Sequence, residues 1–289
     1  MSGVMWLLML FSLIVPAVSQ NVFLSGILNQ SNGMAVICVG NGKANELVRF
    51  NELRPAPIDI DWTRSFIGLH AIMVQDDYLY YYLPSHSTES GHGGAIFRRM
   101  PGRAPEMICE VPSLNSICKR PGMPQIVAVT KDNQIAVIDM TARSTRIFNL
   151  DRQFAFASWT RNGKKIVAST SHNAEIVSID VASGQLDMDH LIDTQATIRR
   201  VYAMTNGVDY LLQYGSDICV FASDVKSLRR VKSSRIPLVS DLLYCESNGM
   251  VYVLVPDDND GRTLVILDPN TGKGTRIVKG VFDDAIIGD

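Results

Sequence analysis

From Phe154 to Ile192 the chain reads as four short apolar runs, "FAFASW", "KKIVAST", "EIVSIDV" and "LDMDHLI", separated by polar turns. Each run has strand length and none keeps a helical period, so the pattern predicts four β-strands. The plan returns near the C-terminus as "DLLYC", "MVYVLV", "TLVILD" and "GTRIVKG". Asn162-Gly163 and Asn248-Gly249 stand between the first and second strands, where Asn-Gly supplies the positive φ of a tight two-residue hairpin. "DVASGQ" and "DPNTGK" match each other as the turn between the last two strands.

Two markers show that this unit is a repeat. Aligned on the first turn, the chain gives Asn32-Gly33, Asp76-Asp77, Pro121-Gly122, Asn162-Gly163, Asn206-Gly207 and Asn248-Gly249, at spacings of 44, 45, 41, 44 and 42 residues. A second series marks the end of the third strand: Ile138-Asp139, Ile179-Asp180, Ser223-Asp224 and Leu267-Asp268, spaced 41, 44 and 44. A tandem four-stranded unit of about 40 to 45 residues is the sequence sign of a β-propeller blade. The fold class read from the chain is therefore all-β, a six-bladed β-propeller of four-stranded antiparallel blades. Radial stacking covers both apolar faces of every meander, so the ring is expected to fold as one domain spanning residues 20–289. "VFDDAIIGD", Val281 to Asp289, reads as one more first strand. It could latch the ring beside unit one, cover the channel, or be the stump of a seventh blade.

"NGKKIVASTSHNAEIVSIDVASGQ" and "NGMVYVLVPDDNDGRTLVILDPNTGK" resemble blades of the TolB-like six-bladed propellers. The resemblance is good in units four and six, partial in three and five, and weak in one and two. It implies a scaffold, not an activity. No Trp-Asp dipeptide occurs, and the paired glycines of kelch blades occur once, at Gly93-Gly94.

The N-terminus breaks the repeat. Val4 to Val15 is apolar but for Ser12, and Pro16 and the small-residue site Ala17-Val18-Ser19 follow, which predicts a secretory signal peptide over residues 1–19. That run is shorter than the roughly 18 to 20 apolar residues of a membrane helix, and no later stretch reaches that length, so no transmembrane segment is expected in the mature chain. The expected location is secreted, extracellular or periplasmic. Asn29-Gln30-Ser31 is then a candidate glycosylation acceptor. Cys38, Cys109, Cys118, Cys219 and Cys245 are odd in number and mostly sit within apolar strand patterns, which argues for buried thiols and against a disulfide framework.

With 46% hydrophobic and 19% charged residues and a formal net charge of -2, the chain is neither disordered by composition nor basic enough to expect nucleic acid as a partner. Nucleophile elbows, paired zinc histidines and phosphate loops are absent from the sequence. Two stretches are candidate binding positions. "PSHSTESGHGGA" in unit two carries His86, Glu89 and His92 within seven residues; these groups suit a transition metal, and its Gly and Ser suit a solvated loop. Unit five concentrates Lys226, Arg229, Arg230, Lys232 and Arg235, of which Arg229, Arg230 and Lys232 are the expected contacts to an acidic partner or sulfated glycan. The same charges would also protect an exposed edge strand. "PDDNDGR" places Asp257, Asp258 and Asp260 together, but Gly261 falls where a calcium ligand should stand, so an acidic hairpin turn is expected. Tyr78, Tyr80 and Tyr82 alternate with Leu79, Tyr81 and Leu83 on one strand, as blade packing requires.

The function expected from this reading is a secreted propeller that binds a protein, peptide or glycan without catalysis, with no cofactor and no metal. The alternative, implied by lactonases of similar architecture, is a calcium-dependent hydrolase with its site at the channel mouth. Cys118, Trp159, Asp241 and Cys245 are the channel-side groups that the first strands offer.

Overall fold

The computed structural model describes residues 22–27, 34–40, 43–50, 70–75, 78–84, 93–99, 103–120, 122–193, 197–215, 217–231, 241–245, 249–256 and 262–287. They form β-strands and turns and no helix. Strands β1 (Val22–Ile27), β2 (Met34–Gly40) and β3 (Lys43–Phe50) come first. A second sheet holds β4 (His70–Gln75), β5 (Tyr78–Leu83), β6 (Gly93–Arg99) and β7 (Glu106–Pro112). The third holds β8 (Leu114–Lys119), β9 (Gln125–Thr130), β10 (Ile135–Asp139) and β11 (Ser144–Phe148). The fourth holds β12 (Phe154–Trp159), β13 (Lys165–Thr170), β14 (Ala174–Asp180) and β15 (Leu186–Asp193). The fifth holds β16 (Ile198–Ala203), β17 (Tyr210–Tyr214), β18 (Asp217–Ala222) and β19 (Ser227–Arg230). The chain ends with β20 (Asp241–Cys245), β21 (Met250–Pro256), β22 (Arg262–Leu267) and β23 (Gly274–Ile287).

Six separate blades are not what forms. There are five antiparallel sheets in a propeller arrangement: four of four strands, and one of seven in the order β20-β21-β22-β23-β1-β2-β3. The cause is β23, which runs fourteen residues without a turn. Its first half pairs with β22, from Leu267↔Gly274 to Arg262↔Gly280, and its second half pairs with β1, from Ile27↔Val281 to Val22↔Ile287. The repeats that the sequence separates as units one and six are thus one sheet. Of the three roles open to residues 281–287, pairing beside unit one is the one adopted.

Successive sheets are joined face to face by apolar clusters, and buried polar groups reach across the joins. Tyr82, fully buried, accepts the Leu114 N–H at 2.9 Å, linking the second sheet to the third. Burial raises the Tyr82 phenol above its usual range. Ser158 Oγ donates to Val201 O at 2.7 Å between the fourth and fifth sheets, and Tyr202 Oη to Leu242 O at 2.8 Å between the fifth and the seven-stranded sheet. Phe154 N donates to Asn133 O at 2.9 Å between the third and fourth. Strands β1 and β23 lie against β4 and close the ring. Tyr81, on the other face of β5, stacks on Phe97 at 5.7 Å, so the described tyrosines of this strand serve packing.

Both turn series are built as repeats. Gly122, Gly163, Gly207 and Gly249 all have positive φ, between 62° and 71°. The loop is longer than a two-residue hairpin, however: Thr160 N bonds Lys165 O and Met204 N bonds Asp209 O, closing four-residue loops whose Asn162 and Asn206 side chains accept the following N–H groups. In the second series Asp139 Oδ1 accepts from Thr141 and Ala142, Asp180 Oδ1 from Ser183, and Asp268 Oδ1 from Asn270. Unit five departs from this. Its third strand ends at Ala222, so Asp224 lies two residues beyond the position of Asp139, Asp180 and Asp268. The residue four places on has positive φ in all four units of this series: Arg143 (53°), Gly184 (77°), Lys226 (48°) and Gly272 (67°).

The signal segment 1–19, Asn29 and Gly261 lie outside the described residues, as do Asp257, Asp258 and Asp260. Cys109, Cys118 and Cys219 form no disulfide.

Two outcomes follow. A chain ending at Gly280 loses the partner of β1, and its melting temperature should fall by at least about 5 °C at ~2–4 °C per kcal/mol, while reductant leaves that of the full chain unchanged; differential scanning calorimetry reads both. The turn N–H groups, Ala142 first for Asp139, Ser183 for Asp180 and Asn270 for Asp268, hold these three carboxyls below the usual range. A depressed folded pKa gives stability that is complete above the unfolded value near 4 and is lost as pH falls through the folded one. The melting temperature should therefore drop on acidification below about pH 4, and changing all three Asp to Asn should shrink that drop.

Candidate functional site

The rims of the sheets differ in how they are tied. Arg146 of β11 sends Nη1 to Val181 O at 2.7 Å, bridging the third sheet to the turn of the fourth. Arg229 of β19 sends Nη2 to Pro269 O at 3.1 Å, bridging the fifth to the turn of the seven-stranded sheet. The two arginines are equivalent, three residues after the positive-φ residues Arg143 and Lys226, and their acceptors each follow a turn aspartate, Asp180 or Asp268, by one residue. The fourth sheet carries Asp187 at that position, three after Gly184, and a carboxylate cannot donate to the next turn's carbonyl. Asp187 faces Lys165 of its own sheet instead, at 3.7 Å.

Where the bridge is missing, a groove of about 530 Å³ opens between the fourth and fifth sheets. His190, Leu191 and Ile192 of β15 form one wall; Tyr214, Phe221, Lys226 and Leu228 form the other. Strand alternation puts Leu228 on the face of Phe221, its register partner, while Arg229 points to the opposite side. His190 packs against Phe221 at 5.0 Å and Tyr210 at 5.8 Å between ring centroids. Leu191 is 51% exposed and Leu228 38%. Leu228 is a large apolar group left in water at this seam; Leu191 pairs with Glu175, next to the Ile176↔His190 pair, so its side chain lies on the face of β15 away from the fifth sheet.

Lys226 shares its turn position with Arg143, and the two differ in what they meet. Arg143 Nη2 reaches back across the seam between the second and third sheets to Glu106 Oε1 at 2.9 Å. Glu106 is also held by Arg98, at 2.7 Å, and Arg98 first and then Arg143 keep its carboxyl below the usual range. Lys226 has no hydrogen-bond or ion-pair partner among the described residues. It also stands at φ 48°, where two sister units use glycine.

Of the residues predicted as contacts, Arg229 is engaged with Pro269 and Arg230 is ion-paired with Asp217. His86, Glu89, His92 and Lys232 lie outside the described residues. Of the expected channel-side groups, Trp159 is buried beneath the Arg120 guanidinium and joins the core of the third and fourth sheets, and Cys118 packs at the edge of two clusters. Cys109 and Cys219 are pushed up to about 11, chiefly by burial, so they stay protonated thiols at neutral pH. No three His, Cys, Asp or Glu side chains among the described residues converge as metal ligands. What the groove offers is recognition chemistry: apolar walls, aromatic rings and one unpaired cation.

No family model matches the chain, and no curated protein matches it in sequence. Solved structures do match. TolB from Acinetobacter baumannii superposes with a TM-score of 0.63 at 10% identity, over 93% of this chain and 67% of that one. A structure of the nidogen–laminin complex gives 0.62 at 9% identity, over 93% and 98%. A TolB-type structure from Agrobacterium tumefaciens gives 0.59 at 13%, over 93% and 97%. At these identities the likeness shows the fold, a β-propeller scaffold, and nothing finer.

The strain at Lys226 is measurable. Replacing it with Gly removes a left-handed side chain worth about 1 kcal/mol, so Lys226→Gly should raise the midpoint of urea unfolding. A lower midpoint would mean that the lysine is held by contacts within the chain.

Proposed function

We propose that this protein is an exported propeller that recognises a protein or peptide partner and does no catalysis. On this reading residues 1–19 are a signal peptide cleaved after Ser19, and residues 20–289 act as one extracellular or periplasmic domain. The observation that carries the reading is the unbridged seam between the fourth and fifth sheets. A propeller gains nothing in stability from leaving Leu228 in water beside an unfilled groove, since apolar burial contributes roughly 25 cal/mol per Å². An exposed apolar patch of this kind, rimmed by charge, marks an interaction surface. Protein recognition on this architecture also has a precedent among the similar structures, one of which is a nidogen–laminin complex.

A random peptide library displayed on phage tests this reading. Selection on the full mature chain should enrich sequences that a Leu228→Asp variant fails to retain, with the variant's melting temperature unchanged. Equal enrichment on both proteins would remove the groove from the account. Calcium-dependent turnover of ester or lactone substrates above the uncatalysed rate would favour the enzyme alternative and contradict the proposal.

A further inference from the structure

This inference rests on the recognition reading and names the chemistry of the partner. Seams of the ring are held by cations, and the acceptor in each case is identifiable. Between the second and third sheets, Arg143 finds the Glu106 carboxylate. Between the third and fourth, and between the fifth and the seven-stranded sheet, Arg146 and Arg229 find backbone carbonyls. The open seam lacks both devices: Asp187 stands in place of the bridging arginine, and Lys226, the counterpart of Arg143, meets no carboxylate among the described residues. The cation is present and, among the described residues, without an acceptor, beside the exposed Leu228.

The outer edge of β19 supplies the remaining group of contacts. Val231 N donates to Ile218 O at 2.8 Å, and the pairing runs Cys219↔Arg230, Val220↔Arg229, Phe221↔Leu228. In an antiparallel ladder hydrogen-bonded pairs alternate. Arg229 and Ser227 therefore direct their main-chain groups to β18, while Leu228 and Arg230 direct theirs away from the sheet. An extended segment laid along this edge finds main-chain partners at those two residues, the mode of strand addition.

We propose that the open seam takes an extended peptide segment with carboxylate and aliphatic side chains, added along β19, its carboxylate pairing with Lys226 as Glu106 pairs with Arg143. The aliphatic side chain enters between His190 and Leu228. The basic residues of β19 then have two effects at once. They repel a second copy of the same edge, which protects the strand from self-pairing, and they admit a strand of opposite charge.

The probe is the fluorescein-labelled peptide acetyl-Glu-Val-Glu-Leu-Glu-Val-Glu-amide, with a control in which every Glu is Lys, followed by fluorescence anisotropy with the full mature chain. The acidic peptide should bind and the basic one should not. Lys226→Glu should weaken binding at least about tenfold. Asp187→Arg, which installs the arginine of the closed seams, should weaken it similarly without lowering the melting temperature. Arg143→Ala, on a seam that is already occupied, should leave it unchanged. Equal binding of both peptides, no binding of either, or an unchanged affinity in Lys226→Glu would overturn the proposal. So would tighter, Lys226-dependent binding of a heparin-derived sulfated tetrasaccharide, which would assign the seam to a glycan. If phage selection enriches groove-dependent sequences that are neutral or basic, the acidic partner is wrong while the recognition reading stands.

Discussion

A four-stranded meander of this composition has two apolar faces and cannot bury either alone, and every other feature of the molecule answers to that constraint. The faces are covered by neighbouring sheets, which forces the sheets into a ring and forces the ring to close. Closure falls to β23, the strand that pairs with β22 along one half and β1 along the other. The interior of each join is apolar, yet it is crossed by single hydroxyls from Tyr82, Ser158 and Tyr202 that bond the backbone of the adjoining first strand. Each such bond satisfies a polar group that burial would otherwise penalise by about 1–3 kcal/mol. They fix how one sheet is seated on the next.

Most of the scaffold was legible in the chain because strand period and turn chemistry are local. The apolar runs became strands, and the marker glycines took the positive φ that Asn-Gly implies. Asp139, Asp180 and Asp268 became turn caps for the reason a carboxylate follows a third strand: it accepts the N–H groups that the turn leaves unpaired. The sheet count was not legible, because a strand that continues from one pairing partner to another carries no punctuation between its halves. The loop length was misjudged for a similar reason. Asn-Gly announces a left-handed residue, but the flanking pair that closes the loop depends on which strand residues meet.

The candidate site was the least legible part. Arg229 and Arg230 stood out as charges, yet Arg229 is spent on the Pro269 carbonyl and Arg230 on Asp217. The informative residues are Asp187, Lys226 and Leu228, and two of them are ordinary surface types. The signal that would have found them is comparative within the chain: Arg146, Asp187 and Arg229 occupy one position, and Asp breaks the series. Unit five obscures that series, because its Asp224 stands two residues past the strand end at Ala222, out of step with Asp139 and Asp180. A groove also needs two elements distant in sequence, here β15 and β19, to be placed side by side.

The central claim is that one rim of the ring is left untied while its sister rim is held by an arginine. Backbone amide exchange of the free, mature chain measures this without any partner. The account predicts that β15, with Asp187 where β11 has its bridging arginine, opens and exchanges faster than β11, which Arg146 fastens to the Val181 carbonyl. Equal protection of the two strands, or slower exchange in β15, would contradict it.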